Sequence, residues 1–107
     1  MNKKEYNGWY NYETWLCKLW IDNEQGSCSY WDETAQEIYD DSEADNTFTR
    51  DERAVLTLSD RLKDEFEEAT PEVTGFWADM INAALSEINW YEIAEHYIED
   101  VDKEKSE

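Results

Sequence analysis

The chain has 107 residues, of which 28 are Asp or Glu and 9 are Lys or Arg, so its formal net charge at pH 7 is -19. Apolar residues make up 40% of it and aromatic residues 15%, which excludes a disordered acidic chain. The length suits a single domain, so we expect one acidic helical domain over residues 1–107, frayed at residues 1–8 and 102–107.

The first two predicted helices are separated by a break at Asn23–Gly26. Asn11 is a suitable N-cap for a helix over Tyr12–Asn23. Its apolar face, at helical spacing, contains Trp15, Leu16, Leu19 and Trp20. A second helix begins near Ser27 or Ser29. Apolar residues form one stripe along it, at Tyr30, Trp31, Thr34, Ala35, Ile38 and Tyr39, and acidic residues fill most of the other side, at Asp32, Glu33, Glu37 and Asp40.

Residues 41–48 lack periodicity and are predicted to form a loop, after which Thr49 begins a third helix. Thr49 and Glu52 have the spacing of a capping box, in which each side chain bonds to the backbone amide of the other residue. Apolar residues then recur every three or four positions as far as Ala69, at Val55, Leu58, Leu62 and Phe66. The third helix is therefore expected to end near Ala69.

Thr70 and Pro71 end the third helix and begin a fourth, because Pro suits the first turn of a helix and disfavours helix in the residue before it. The fourth helix has the broadest apolar face in the chain, at Val73, Phe76, Trp77, Met80, Ile81, Ala84, Leu85 and Ile88. Asn89 and Glu92 repeat the capping box and begin a fifth helix, with apolar residues at Trp90, Ile93, Ala94, Tyr97, Ile98 and Val101.

These patterns predict an all-α fold. We expect an irregular bundle of about five short helices around a Trp- and Tyr-rich core. Each apolar stripe is interpreted as part of that core, because every amphipathic helix must bury one face.

The acidic residues are separated from the basic ones along the chain. No Lys or Arg occurs between Leu19 and Thr49 or between Asp64 and Asp102. Carboxylates three or four residues apart are neighbours on a helix surface. Two rows of partner-binding negative charge are therefore predicted, at Asp32, Glu33, Glu37 and Asp40 on the second helix and at Glu92, Glu95 and Glu99 on the fifth.

Such rows suggest a DNA mimic, since a duplex also presents regularly spaced negative charges. The partner would be a basic nucleic-acid-binding protein, such as a restriction enzyme, a CRISPR effector or another host-defence factor. The alternative is an acidic surface that only keeps the protein soluble, or an acidic adaptor or structural protein for another basic partner. Either hypothesis excludes direct binding to nucleic acid or to an anionic membrane, which the charge would repel. The oligomeric state stays open.

A further interpretation concerns residues 41–52, which have the length of an EF-hand calcium loop. Four acidic residues fall on its ligand positions, namely Asp41, Glu43, Asp45 and Glu52. Two features depart from the pattern, because Glu43 is longer than the usual Asp and Asn46 replaces the turn Gly. Thr49 and Glu52 are equally explained by the capping box, so both interpretations stay open. No other cofactor is expected.

The remaining candidate groups form no catalytic signature, and we expect a protein that is not an enzyme. Cys17 and Cys28 lack a CxxC spacing and are interpreted as reduced, half-buried thiols. His96 is interpreted as a surface or boundary residue and not as a general base. Lys3 and Lys4 are not followed by an apolar stretch, so no signal peptide is predicted and a cytoplasmic location is expected.

Several segments rich in aromatic and polar residues are similar to those of a known group of proteins. They are NGWYNYETW at residues 7–15, LWIDNEQG at 19–26, FTRDERA at 48–54 and NWYEIAE at 89–95. They resemble a family of small acidic proteins from phages, plasmids and microbial genomes, whose function is uncharacterised. The resemblance implies a mobile-element setting and assigns no site residue. Trp9 and Trp15 in the first segment are interpreted as core residues, in preference to a partner-binding patch.

Overall fold

The computed structural model of the protein describes residues 6–103, which form five α-helices. They are α1 (Tyr12–Asn23), α2 (Gln25–Asp41), α3 (Arg50–Glu68), α4 (Phe76–Glu87) and α5 (Trp90–Asp100). The described residues contain no strand, only an isolated bridge between Tyr6 and Trp9, so the all-α prediction is confirmed. Among the helices of this part of the chain, none combines the length and apolar character needed to cross a membrane.

The core lies between α2, α3 and α5, which pack against one another as a three-helix bundle. Its fully buried side chains include Leu58 and Leu62 from α3 and Ile93 and Ile98 from α5. Aromatic residues contribute to it as predicted, with Trp31, Tyr39, Trp90 and Tyr97 all buried. The other two helices are peripheral, because α1 packs on α2 and α5, and α4 packs on α1.

The break between α1 and α2 is shorter than predicted. Glu24 alone leaves the helical conformation, with φ -106° and ψ 112°, and α2 already begins at Gln25. The Ser27 hydroxyl donates to the Glu24 carboxylate over 2.8 Å, so Ser27 bonds to the N-cap residue and is not itself the cap. Gly26 consequently lies inside α2 and does not end α1.

The two predicted capping boxes differ in outcome. Thr49 and Glu52 form the complete box at the start of α3, with side chain to backbone bonds in both directions. At the start of α5 only half of it forms, because the Asn89 side chain accepts from the Glu92 amide while the Glu92 carboxylate points elsewhere. That carboxylate instead accepts from the Tyr10 amide over 2.9 Å.

A hydrogen-bonded cluster joins the start of α1 to the start of α5, and we call it the Thr14 cluster. The Thr14 hydroxyl, fully buried, donates to Asn11 Oδ1 over 2.6 Å and accepts from the Asn89 amide over 2.8 Å. Asn11 also caps α1 through the Thr14 amide and donates from Nδ2 to the Glu87 carbonyl. The cluster therefore fixes the positions of α1, α5 and the end of α4 relative to one another.

The apolar face predicted for α1 is not the one that the structure buries. Thr14 and Ile21 are buried, and Cys17 packs against the core between them. Trp20, which the periodicity placed in the core, is 70% exposed, and Leu19 is also exposed. The physical reason is the Thr14 cluster, which turns the Thr14 side of α1 inward.

The prediction for α4 is wrong in two respects. The helix begins at Phe76 and not at Pro71, because Gly75 adopts φ 63° and ψ -135°, a conformation that Gly tolerates and other residues do not. No residue of α4 is buried, although Leu85 packs against the core from its C-terminal end. Phe76 and Trp77 are each 65% exposed and Met80 is 53% exposed. The three central helices already close the core, so most of the α4 stripe has no surface to cover it.

The fraying predicted at residues 1–8 and 102–107 stays a prediction, and its described part, residues 6–8 and 102–103, makes hydrogen bonds in the folded structure. Tyr6 and Trp9 exchange two backbone hydrogen bonds of 3.0 and 2.7 Å. Near the other end, the Asp102 amide donates to Gln36 Oε1 and the Asp102 carbonyl accepts from Gln36 Nε2. The rest of that prediction lies outside the described residues.

The Thr14→Val substitution tests the Thr14 cluster. It keeps the side-chain shape but leaves the Asn89 amide without its acceptor, which is expected to cost about 1–3 kcal/mol of unfolding free energy. For a domain of this size, that lowers Tm by about 4–8 °C per kcal/mol. Thermal unfolding followed by circular dichroism measures the change. The exposed Thr57→Val substitution is the control, and equal Tm values for both variants would contradict the role of the cluster.

Candidate protein-binding surface

The acidic row predicted on α2 is exposed along its whole length. Asp32, Glu33, Glu37 and Asp40 all face solvent and, with Gln36, line one shallow cleft. They do so because the opposite stripe of α2 is buried in the core, at Trp31, Thr34, Ala35, Ile38 and Tyr39. These four carboxylates span about 12 Å of helix axis, at a rise of about 1.5 Å per residue.

The row predicted on α5 is only partly exposed. Glu95 and Glu99 face solvent, as expected. Glu92 is 4% exposed and holds the Tyr10 amide, so its place in the row was wrong. The periodicity could not reveal this, because the partner of Glu92 is a backbone amide distant in sequence. His96 is exposed and stacks on the indole of Trp9, with ring centroids 4.2 Å apart.

One carboxylate of α5 that was not part of the predicted row lies beside the row on α2. Asp100 and Asp32 line the same cleft, together with Gln36, Tyr97 and Val101. Asp100 was not predicted as a member of the surface, although it lies four residues after His96 and eight after Glu92 on α5. Glu95 and Glu99 are exposed but line neither cleft. We call the surface that the clefts join the acidic face; its members are Asp32, Glu33, Glu37 and Asp40 of α2 and Asp100 of α5.

Five of the six Lys and Arg side chains within residues 6–103 pair with carboxylates outside the acidic face, and Arg50 donates to the backbone carbonyls of Tyr39 and Asp40 at the end of α2. Lys18 pairs with Asp22, Arg53 with Asp45, Arg61 with Glu65, Lys63 with Glu67 and Lys103 with Asp51. The guanidinium of Arg50 also lies over the Tyr39 ring. Within residues 6–103, no ion pair joins a Lys or Arg to a carboxylate of the acidic face.

One of these pairs belongs to a small network between α2 and α3. Glu65 accepts hydrogen bonds from Arg61 and from the hydroxyl of Tyr30. Partial burial raises the pKa of Glu65, but the hydrogen bonds from Arg61 and Tyr30 outweigh it and lower the pKa overall. Glu65 therefore keeps its charge to lower pH, and that charge is neutralised by its ion pair with Arg61.

The two cysteines are free thiols and half-buried, as the sequence predicted for both. Burial raises the pKa of Cys17 to about 12, so this thiol is protonated at neutral pH and is a poor nucleophile. The pKa of Cys28 is also raised, by desolvation first and then by the nearby carboxylates of Asp32 and Asp22. Neither environment activates a thiolate.

The four predicted calcium ligands do not converge. Within residues 6–103 no three His, Cys, Asp or Glu side chains are placed to hold a metal ion. Asp45 accepts from the Thr47 and Phe48 amides, which lowers its pKa, and Glu52 is occupied by the capping box. Asp41 and Glu43 line a cleft with the guanidinium of Arg53, which supplies a positive charge there already.

We expect calcium to have no specific effect through this loop. The change in Tm on adding about 1 mM calcium should be the same for the wild-type protein and for a Glu43→Gln variant, because Glu43 would be a ligand only in an EF-hand geometry. Differential scanning calorimetry measures the two shifts, and Glu68→Gln on α3 controls for loss of one exposed negative charge. A calcium-dependent stabilisation that Glu43→Gln alone abolishes would contradict this expectation.

Comparison with known proteins identifies a family and no characterised relative. A model of DUF7249, a family of unknown function, matches residues 2–105. No curated protein matches the chain, and no solved structure matches it. Since the match extends over nearly the whole length, this chain belongs to the DUF7249 family.

Proposed function

We propose that this chain is a cytoplasmic protein-binding module, not an enzyme, whose acidic face occupies the basic DNA-binding groove of another protein. The observation that carries the proposal is the acidic face itself. Its carboxylates come from two helices that a shared cleft joins, and no Lys or Arg of the described residues forms an ion pair with them. The protein would thus act as a mimic of DNA.

The charge spacing on α2 supports this proposal. From Asp32 to Asp40, four carboxylates occur over about 12 Å of helix axis, at a mean spacing of about 4 Å. A DNA strand presents one phosphate per about 3.4 Å along the duplex axis. A groove lined with Lys and Arg at positions suited to phosphates therefore meets a similar density of negative charge on α2.

The cost of the acidic face also favours a basic partner. Like charges on neighbouring turns repel one another and destabilise the folded chain. A solubilising surface would relieve that repulsion by mixing signs, whereas here the cations pair with other carboxylates. Binding a basic groove would relieve it and would release the cations held around the acidic face, as protein binding releases them from DNA.

Partner identity is the second part of the proposal. The similarity of the N-terminal segment to proteins of phages and plasmids favours a host-defence factor that binds DNA, such as a restriction enzyme or a CRISPR effector. An antirestriction role would follow. An acidic adaptor for a basic partner without a DNA-binding groove is the alternative that the experiment below separates.

The proposal predicts competition with DNA and sensitivity to two charges of the acidic face. A Glu33→Gln/Glu37→Gln variant should bind a DNA-binding partner about 2- to 30-fold more weakly than the wild type, since each exposed ion pair contributes about 0.2–1 kcal/mol. Binding of purified restriction enzymes and CRISPR effectors, measured by fluorescence anisotropy, provides the readout. Affinity should fall steeply with salt, and duplex DNA should displace the protein.

The matched control is a Glu68→Gln/Glu72→Gln variant, which removes the same charge from exposed positions outside the acidic face. Equal weakening by both variants would mean that net charge, and not the acidic face, determines binding. A partner that DNA does not displace would overturn the DNA mimic and leave the acidic adaptor.

A further inference from the structure

The N-terminal part of α4 presents large apolar side chains to solvent. Phe76 and Trp77 are 65% exposed and Met80 is 53% exposed, and the rings of Phe76 and Trp77 contact each other edge to face with centroids 5.0 Å apart. Ala83 and Ala84 continue the same side of the helix and are also exposed. We call this surface the α4 apolar face; it consists of Phe76, Trp77, Met80, Ala83 and Ala84.

The α4 apolar face has the pattern of a surface that receives another helix. Phe76, Met80 and Ala83 or Ala84 follow one another at the i, i+4, i+7 or i+8 spacing with which paired helices contact each other. The opposite side of α4, at Ile81 and Leu85, is half-buried. The apolar arc of α4 is thus wider than the part its own chain covers.

The charges around this face select the chemistry of the partner. From Asp64 to Asp102 the chain contains no Lys or Arg, and α4 with the segment before it carries only acidic charge, at Glu72, Asp79 and Glu87. Lys63 of α3 lines a cleft with residues on another side of α4, and its charge is paired with Glu67. An apolar face bordered by carboxylates is complementary to a helix whose apolar stripe is bordered by Lys or Arg. A second copy of the chain fits poorly, because each copy carries a net charge of -19 and would oppose the same carboxylates.

We propose that the α4 apolar face binds an amphipathic helix with basic flanks, contributed by a partner protein. Phe76, Trp77 and Met80 are the anchors, since aromatic residues and Met are enriched where interfaces bury apolar surface. Met80 has an unbranched side chain that adapts to the shape of the docked helix. This interaction is separate from the acidic face and does not depend on the function proposed for it.

The test uses a synthetic amphipathic helix of about 18 residues, built from Leu and Lys with Leu at i, i+3, i+4 and i+7 spacing. A scrambled peptide of identical composition controls for attraction by net charge. Binding of the labelled peptides is measured by fluorescence anisotropy in about 0.5 M NaCl, where the screening length is about 4 Å. The wild-type protein should bind the amphipathic peptide at least about tenfold more tightly than the scrambled one.

The variant Phe76→Ser/Met80→Ser should weaken this binding by at least about tenfold and leave Tm nearly unchanged, because both side chains are mostly exposed. Trp77→Ser provides a second variant in case the double substitution unfolds α4. Leu56→Ser, at an exposed apolar position on α3, and Glu33→Gln/Glu37→Gln on the acidic face should bind the peptide as the wild type does.

Two results would overturn the proposal. One is unchanged peptide affinity in both α4 variants. The other is a wild-type dimer in sedimentation velocity that Phe76→Ser/Met80→Ser converts to monomer, which would assign the α4 apolar face to a second copy of the chain. The acidic-face variant is measured in the same assay. A loss of peptide binding can therefore be assigned either to the α4 apolar face or to the acidic face.

Discussion

The arrangement of the helices depends on one buried hydroxyl group. Thr14 lies where α1 and α5 begin, donating to Asn11 and accepting from the amide of Asn89. A buried polar group without a partner is strongly destabilising, so each residue of this cluster requires the others in place. Through it, a segment near the start of the chain is joined to a helix near its end, while α2, α3 and α5 close the core by packing on one another.

The acidic face depends on how α5 packs on α2 and α3. In that orientation Glu92 is buried and accepts from the Tyr10 amide, whereas Asp100 lines a cleft with Asp32. Glu92 and Asp100 lie on the same helix and have different roles. Glu92 holds the fold together, and Asp100 adds to the surface charge. Asp100 lies beside the α2 row because apolar contacts between α2 and α5 fix the two helices relative to each other.

Sequence periodicity predicted the presence of the helices well and the burial of their side chains less well. The bounds of α1 and the capping box of Thr49 rest on interactions within a few residues, which a local pattern contains. The burial of Glu92 and the exposure of Phe76 depend on segments far away along the chain. A periodic stripe shows which side of a helix is apolar. Whether another helix covers that side depends on how many helices the core accommodates. Here α2, α3 and α5 already close the core.

The peripheral position of α4 affects how the molecule opens. The helix follows the positive-φ residue Gly75, contributes no buried side chain, and is held at its far end by the bond from Asn11 to the Glu87 carbonyl. Releasing it adds little apolar surface to what is already solvated, so this opening requires far less free energy than global unfolding. We therefore expect amide protons of α4 to exchange through subglobal opening, at a lower free energy than those of α3 and α5.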